Sequence, residues 1–359
     1  MCGFSSRGSY DHIVRQSRDL DCGGHPVFLE FDFRRVDCPR CGVKRERLSW
    51  LAANPRYTRR FVLAVGRRCR TATVKDVADE MDLHWETVKE IDTLYMQEQL
   101  DRVGTSEPTA IGIDEIAVGP GHTYRIVVSD LHRKRAIWFG GSDRKEASMD
   151  LFYATITPEN RAKIRLVVMD MWKAFRNSAQ RNIPQAQIVF DKFHVIKHLG
   201  NALDTVRKNE YHRLQGESRR FIKGQKYTLL TRRENLGEEG RASLQLLFKA
   251  NRRLYKAYLL KEQFGQLWDF ADPERGRLFF EEWKSSLRWQ RLEPYEKFAQ
   301  MVETHWDGIA SYCNTANKVP LGFVEGLNNR IRVLQRRAYG FHNEDYFRLK
   351  ILTCMLPKL

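Results

Sequence analysis

Between Thr109 and Asp191 the spacing of apolar residues changes in an order that few folds accommodate. Ile111-Gly112-Ile113-Asp114, Tyr124-Arg125-Ile126-Val127-Val128 and Ala136-Ile137-Trp138-Phe139 are strand-like runs separated by short Gly-rich or basic turns, which predicts an antiparallel meander. A helical stretch from about Lys145 to Thr157 leads to the run from Ile164 to Met169, and another leads to Ala186 through Phe190. Strand, helix, strand, helix, strand implies a parallel section with right-handed crossovers. The expected fold class is therefore α/β on a mixed sheet.

The flanks read differently. Residues 1–49 form short extended runs such as Val27 to Phe33, preceded by the turn signal Cys22-Gly23-Gly24, and predict a small β module. Residues 50–106 are helical, with Thr73 or Asp76 as caps. Residues 107–195 carry the first part of the α/β core. From 196 to 316 the chain is basic, aromatic and helical, with Pro273 and Pro294 as first-turn prolines, so an all-helical insertion is expected. Residues 317–359 close the core, opening with a helix that ends near Tyr339-Gly340.

Composition narrows the function. The 359 residues carry 61 Lys and Arg against 45 Asp and Glu, a net +16 that a polyanion would neutralise, with nucleic acid the leading candidate. With 42% hydrophobic residues the chain can fold, and no apolar run approaches a membrane span. Seven scattered Cys and no secretory signal predict a reducing, cytoplasmic location and no membrane partner.

Two acids end apolar strands. Asp114 alone reads as a solvated strand end. Asp170 follows Leu166-Val167-Val168-Met169, however, and the carboxyl ends of neighbouring parallel strands are where ligands collect in such sheets. Two carboxylates facing each other call for a cation between them, as hard oxygen ligands do for Mg²⁺. A third acid, Glu325, begins a helix whose stripe of Val324, Leu327, Ile331 and Leu334 is apolar, while Glu325, Asn328, Asn329, Arg332 and Arg336 occupy the adjoining face. Taken alone, that helix is an ordinary amphipathic one.

Residues Val74 to Thr93 fit a helix-turn-helix, with Ala78 at the close approach, Leu83 in the turn, and Val88 and Ile91 facing inward. Trp85, Thr87 and Lys89 then lie on the DNA-reading face, with a structural helical hairpin as the alternative. Cys38-Pro39-Arg40-Cys41-Gly42 is a knuckle of the type that places two thiolates on structural Zn²⁺, which predicts a zinc-ribbon-like module. Cys2-Gly3 echoes Cys41-Gly42 as the tail of a second knuckle whose first Cys would precede Met1. Either the start is shortened, or Cys22, His12 or His25 substitutes. In the insertion, Arg207, Lys208, Arg219, Arg220, Arg232, Arg233, Arg252 and Arg253 suit phosphate contacts. Trp268, Trp283 and Trp289 are assigned to packing first.

Gly112-Ile113-Asp114-Glu115 with Gly121-His122-Thr123-Tyr124, Val168-Met169-Asp170-Met171, Asp191-Lys192-Phe193-His194, Val324-Glu325-Gly326-Leu327-Asn328-Asn329 and Arg337-Ala338-Tyr339-Gly340 resemble, in order and wording, the ISL3 family of bacterial insertion-sequence transposases. The resemblance implies an Asp-Asp-Glu triad on a ribonuclease H-like fold with a helical insertion before the last acid. Asp114, Asp170 and Glu325 would be catalytic and would hold two Mg²⁺, with Mn²⁺ as a substitute. In such a sheet the second acid follows the fourth strand, which selects Asp170 over Asp191; Asp191 and His194 become supporting residues. The implied activity is metal-activated cleavage of element-end DNA and transfer of the freed 3′-hydroxyl to target DNA. A homo-oligomer on double-stranded DNA and a nucleoid-associated bacterial setting follow. The competing reading is a DNA-binding regulator with an inert nuclease-like domain. The resemblance also implies both Cys pairs, so Cys2, Cys38 and Cys41 are the Zn²⁺ candidates.

Overall fold

A computed structural model describes residues 8–119, 123–319 and 322–359; Cys2, Gly121 and His122 lie outside the described residues. The chain divides into two units, one of Met1–Thr105 with Asn329–Leu359 and one of Ser106–Asn328.

In the first unit, β1 (Asp11–Cys22), β2 (His25–Cys38) and β3 (Gly42–Arg45) form an antiparallel sheet in that order. The β1–β2 turn places Gly23 and Gly24 at φ 61° and 81°, the left-handed conformation that a two-residue hairpin turn requires. Three helices follow: α1 (Arg59–Arg68), α2 (Val74–Glu80) and α3 (Trp85–Val103). Thr73 and Asp76 both cap α2, each side chain accepting the other's backbone N–H. Asp82, in the turn before α3, sits at φ 49°. Val77, Ala78, Val88 and Ile91 are buried together with Phe61 and Val65, which is the packing expected of a helix-turn-helix.

The last helix of the chain, α16 (Glu344–Thr353), belongs to this unit. Lys350 pairs with buried Asp92 at 2.6 Å and donates to the Cys69 carbonyl at 3.0 Å, while Tyr346 donates its hydroxyl to Asp92. Arg70 donates to the carbonyls of Thr353, Cys354 and Leu356. These long-range bonds tie residues at the two ends of the sequence into one core.

The second unit is built on a five-stranded sheet ordered β6-β5-β4-β7-β8, from β4 (Ala110–Gly119), β5 (Thr123–Asp130), β6 (Arg135–Gly140), β7 (Leu166–Met169) and β8 (Gln187–Phe190). β4, β5 and β6 are antiparallel, whereas β4, β7 and β8 are parallel. The meander and both crossovers thus match the sequence pattern. α4 (Glu146–Ala154), α5 (Pro158–Lys163) and α6 (Lys173–Asn182) fill the crossovers.

Strand alternation divides the sheet between two cores. Ile111, Ile113, Val167, Met169 and Phe190 face the larger one with Phe152 and Phe175. Ala110, Leu166, Val168 and Val189 face the other, which Val319 and Val324 cover. Val324 lies in α15 (Gly322–Arg337), which begins in this unit. Gly112 permits the close packing: a Cβ there would stand 3.0 Å from Val324 and 2.9 Å from Leu131.

After β8 the chain is helical, as expected from its pattern. α7 (Lys192–Arg213) is followed by α8 (Gly216–Gly224), α9 (Lys226–Leu230), α10 (Glu238–Ala250), α11 (Arg252–Gly265), α12 (Pro273–Ser286), α13 (Glu293–Thr304) and α14 (Trp306–Ala310). Pro273 and Pro294 sit in first turns. Phe264, Trp268, Trp283 and Phe298 pack edge to face, with Trp283 donating to the Leu260 carbonyl at 2.9 Å. Trp289 departs from the packing assignment: it is 93% exposed. Arg207 departs from the phosphate-binding one, since it is buried against Asp204 at 2.8 Å.

Candidate active site

The acids expected at strand ends gather at one end of the parallel section. Gly112 and Val168 are register partners, so Asp114, two residues further along β4, and Asp170, the first residue after β7, stand at the same end of two neighbouring strands. Asp114 shares the parity of Gly112 and so lies on the face that Val324 covers, where Asn328 of the same helix reaches it. β4 does not stop at Asp114 but continues to Gly119, because Glu115 through Ala117 still pair with Ile126 through Tyr124.

Backbone amides of the following residues hold both carboxylates. Glu115 N–H donates to Asp114 Oδ1 at 2.8 Å, and Met171 N–H to Asp170 Oδ1 at 2.6 Å. Asp191, two residues beyond Val189 on β8, caps α7 by accepting from Phe193 N–H at 2.9 Å. One turn into α7, His194 stands between two acids, its Nδ1 3.4 Å from Asp191 and its Nε2 3.9 Å from Asp170. Asp191 above all, and then Asp170 and Asp114, raise the His194 pKa above its usual value, against the opposing effect of burial.

On α15, Val324, Leu327, Ile331 and Leu334 are buried as the apolar stripe predicts. Asn328 is a correction to the assignment of the polar face: it is 7% exposed, and its amide donates to Asp114 Oδ2. Its Oδ1 is buried without a hydrogen-bond partner. Glu325 lies one turn before Asn328 and is exposed, as are Arg332 and Arg336 further along the helix.

Burial pushes the pKa of Asp114 upward, and likewise that of Glu115, whose shift Asp114 and Asp170 add to. Arg144 offsets part of this, pairing with Glu115 at 2.5 Å while its guanidinium lies 3.9 Å over the Tyr124 ring. Trp172 completes this side, donating from its indole to the Arg144 carbonyl at 2.8 Å. The sequence reading set Asn328 on the helix face able to meet metal and phosphate without giving it a role, and overlooked Arg144 and Trp172 as site residues. For Asn328 a signal existed in its spacing of three residues from Glu325; Arg144 and Trp172 stand in turns without a comparable pattern.

Among the described residues no three His, Cys, Asp or Glu side chains form a ready-made metal cage. For the zinc expectation the hairpin register is decisive. Cys38 ends β2 and faces Gly42 on β3, whereas Cys22 and His25 stand at the opposite end of the 14-residue strand, roughly 40 Å away at about 3.3 Å per residue. His12 pairs with Arg34 and is exposed. None of the three complements Cys38 and Cys41.

In the helix-turn-helix, Trp85 is 46% exposed at the start of α3. Thr87 and Lys89 are half-buried, and the Lys89 ammonium lies 5.5 Å from the Tyr346 ring centroid. Trp85 is therefore the freest of the three to meet DNA. No helix among the described residues is long and apolar enough to cross a membrane.

Sequence comparison matches most of the chain to known families. A family model described as a transposase matches residues 111–351, and one described as the helix-turn-helix domain of transposase family ISL3 matches residues 46–96. The transposase for insertion sequence element IS1001 of Bordetella parapertussis is 32% identical over 354 residues, spanning 98% of this chain and 86% of that protein. The transposase for insertion sequence element IS1557 of Mycobacterium tuberculosis H37Rv is 29% identical over 359 residues, spanning 92% of this chain and 79% of that protein.

Proposed function

This chain belongs to the ISL3 family of transposases, and on that premise we propose that it binds insertion-sequence ends, cuts DNA there by Mg²⁺-assisted hydrolysis and joins the freed 3′-hydroxyl to target DNA. We read the core as ribonuclease H-like, with Asp114, Asp170 and Glu325 as the catalytic acids. The observation that carries the reading is a carboxylate on β4 and another directly after the neighbouring parallel strand β7, with an acid-bearing helix bonded to the first of them through Asn328.

The donor chemistry suits a hard divalent cation: the carboxylates of Asp114 and Asp170 and the partnerless Asn328 Oδ1 supply oxygen atoms, and Asp114 is buried, where a cation would favour its ionised form. Asp114, Asp170 and Glu325 would hold the ion, which when bound supplies Lewis acidity to activate a water and to stabilise the leaving oxygen. The chain's own part is orientation. The Glu115 amide and Asn328 fix Asp114, and the amide of Met171 with nearby His194 positions Asp170. Arg144 pairs with Glu115 and favours its ionised form against burial. No protein nucleophile is required, because the freed 3′-hydroxyl attacks the second DNA.

DNA is delivered by the helix-turn-helix and by exposed Arg332 and Arg336, and synapsis of two ends calls for a homo-oligomer. Incubation with labelled element-end DNA, target DNA and Mg²⁺ tests the proposal. Cleavage followed by joined product supports it, cleavage alone reduces it to a nuclease, and tight binding without either favours the regulator.

A further inference from the structure

The loop that joins α12 to α13 holds two of the five non-glycine residues with positive φ among the described residues: Trp289 at 70° and Arg291 at 53°. L-residues adopt this conformation only at a cost, and such strain persists where the surroundings enforce it. Here they do. Leu287 and Leu292 are buried at either end, Gln290 N–H donates to the Leu287 carbonyl at 3.1 Å, and Arg253 donates to the Arg291 carbonyl.

The side chain this backbone displays is Trp289, 93% exposed, whereas Trp268 and Trp283 in the same insertion are each 3% exposed. Solvation of a whole indole is unfavourable, so a strained and anchored loop that presents one invites a partner with a flat apolar face. Its neighbours indicate the partner's charge. Arg288 and Arg291 are both exposed, and no described acidic side chain forms an ion pair with either. An indole flanked along the chain by two exposed arginines without a described acidic partner suits a nucleobase and its adjoining phosphates.

We propose that Trp289 is a base-stacking residue, its indole covering an unpaired nucleobase of the DNA while Arg288 and Arg291 hold the adjoining phosphates. The inference rests on the reading of the chain as a DNA-processing transposase. The base must be unpaired because the faces of a stacked duplex are already covered; a frayed end or a single-stranded flap offers one.

The test compares full-length wild type, Trp289→Ala and Trp289→Phe on two labelled oligonucleotides: a blunt duplex, and the same duplex with a single-stranded extension carrying 2-aminopurine. Wild type is expected to quench the 2-aminopurine on binding. Trp289→Ala should lose the quenching and bind the extended DNA about tenfold more weakly, with blunt-duplex affinity and thermal stability retained, and Trp289→Phe should restore most of the difference. Unchanged quenching and affinity in Trp289→Ala would overturn the proposal. So would a change of oligomeric state without DNA while quenching persists, which would make Trp289 a protein contact. Wild type that binds neither oligonucleotide would defeat the transposase reading itself, and this inference with it.

Discussion

The Asn328 side-chain amide donates a hydrogen bond to Oδ2 of Asp114, joining the helix that carries Glu325 to the central strand of the sheet. The bond leaves one oxygen of each partner for other work: Asp114 Oδ1 accepts from the Glu115 amide, and Asn328 Oδ1 is buried without a partner.

Replacing Asn328 with Ala should therefore act on catalysis more than on DNA binding. Residues that orient metal-binding carboxylates commonly account for 10- to 100-fold in metal affinity or activity. We expect a fall in cleavage rate of about that size, partly recovered by raising Mg²⁺, with end-DNA affinity unchanged. An unaltered Mg²⁺ dependence would detach Asn328 from the site.

Gly112→Ala tests how closely α15 must approach the sheet. The new methyl would meet Leu131 and Ser129 at 2.9 Å and Val324 at 3.0 Å. Overpacking of this kind costs about 1–3 kcal/mol, read as a lowered Tm, and should lower cleavage by shifting Glu325. The second change Val324→Ala removes one of the colliding groups and should recover part of both losses.

These features were not equally legible in the sequence. The strand runs were, because a half-buried strand must alternate and a buried one must be apolar, and their order brings Asp114 and Asp170 to the same end of neighbouring strands. Asn328 was not, since its place at the border of the apolar stripe suits a solvated or a buried amide equally well. The association of Asn329–Leu359 with the N-terminal unit depends on bonds such as Arg70 to the carbonyls of residues 353–356, which leave no local pattern. Trp289 shares its composition and surroundings with buried tryptophans, and only the backbone conformation separates it from them.

His194 gives the metal-free protein a pH signature. Its pKa is raised in the folded state, chiefly by Asp191, so its contribution to stability is whole below the unfolded value of about 6.5 and declines as pH rises through the folded value. In EDTA, Tm should fall as pH climbs above about 6.5, and His194→Gln should flatten that part of the profile. A wild-type profile identical to that of the variant would show that folding leaves the His194 pKa unshifted.

For DNA binding, Trp85→Ala should weaken affinity for the cognate end about tenfold, by loss of a contact worth on the order of 1–3 kcal/mol, with little effect on unrelated duplex. Arg332→Ala and Arg336→Ala should weaken binding to every sequence alike and reduce the slope of log affinity against log salt by about one each. Lys89→Ala should have a smaller effect, since that ammonium already lies near Tyr346. Equilibrium titrations at several salt concentrations measure all four.

Strand cleavage by the acid variants reaches the central assignment most directly. Asp114→Asn, Asp170→Asn and Glu325→Gln should each lower Mg²⁺-dependent nicking of labelled end DNA by at least about a thousandfold while retaining end binding, and Asp191→Asn should keep measurable nicking. Nicking that survives in Asp170→Asn and vanishes in Asp191→Asn would contradict the account and transfer the second catalytic position to β8.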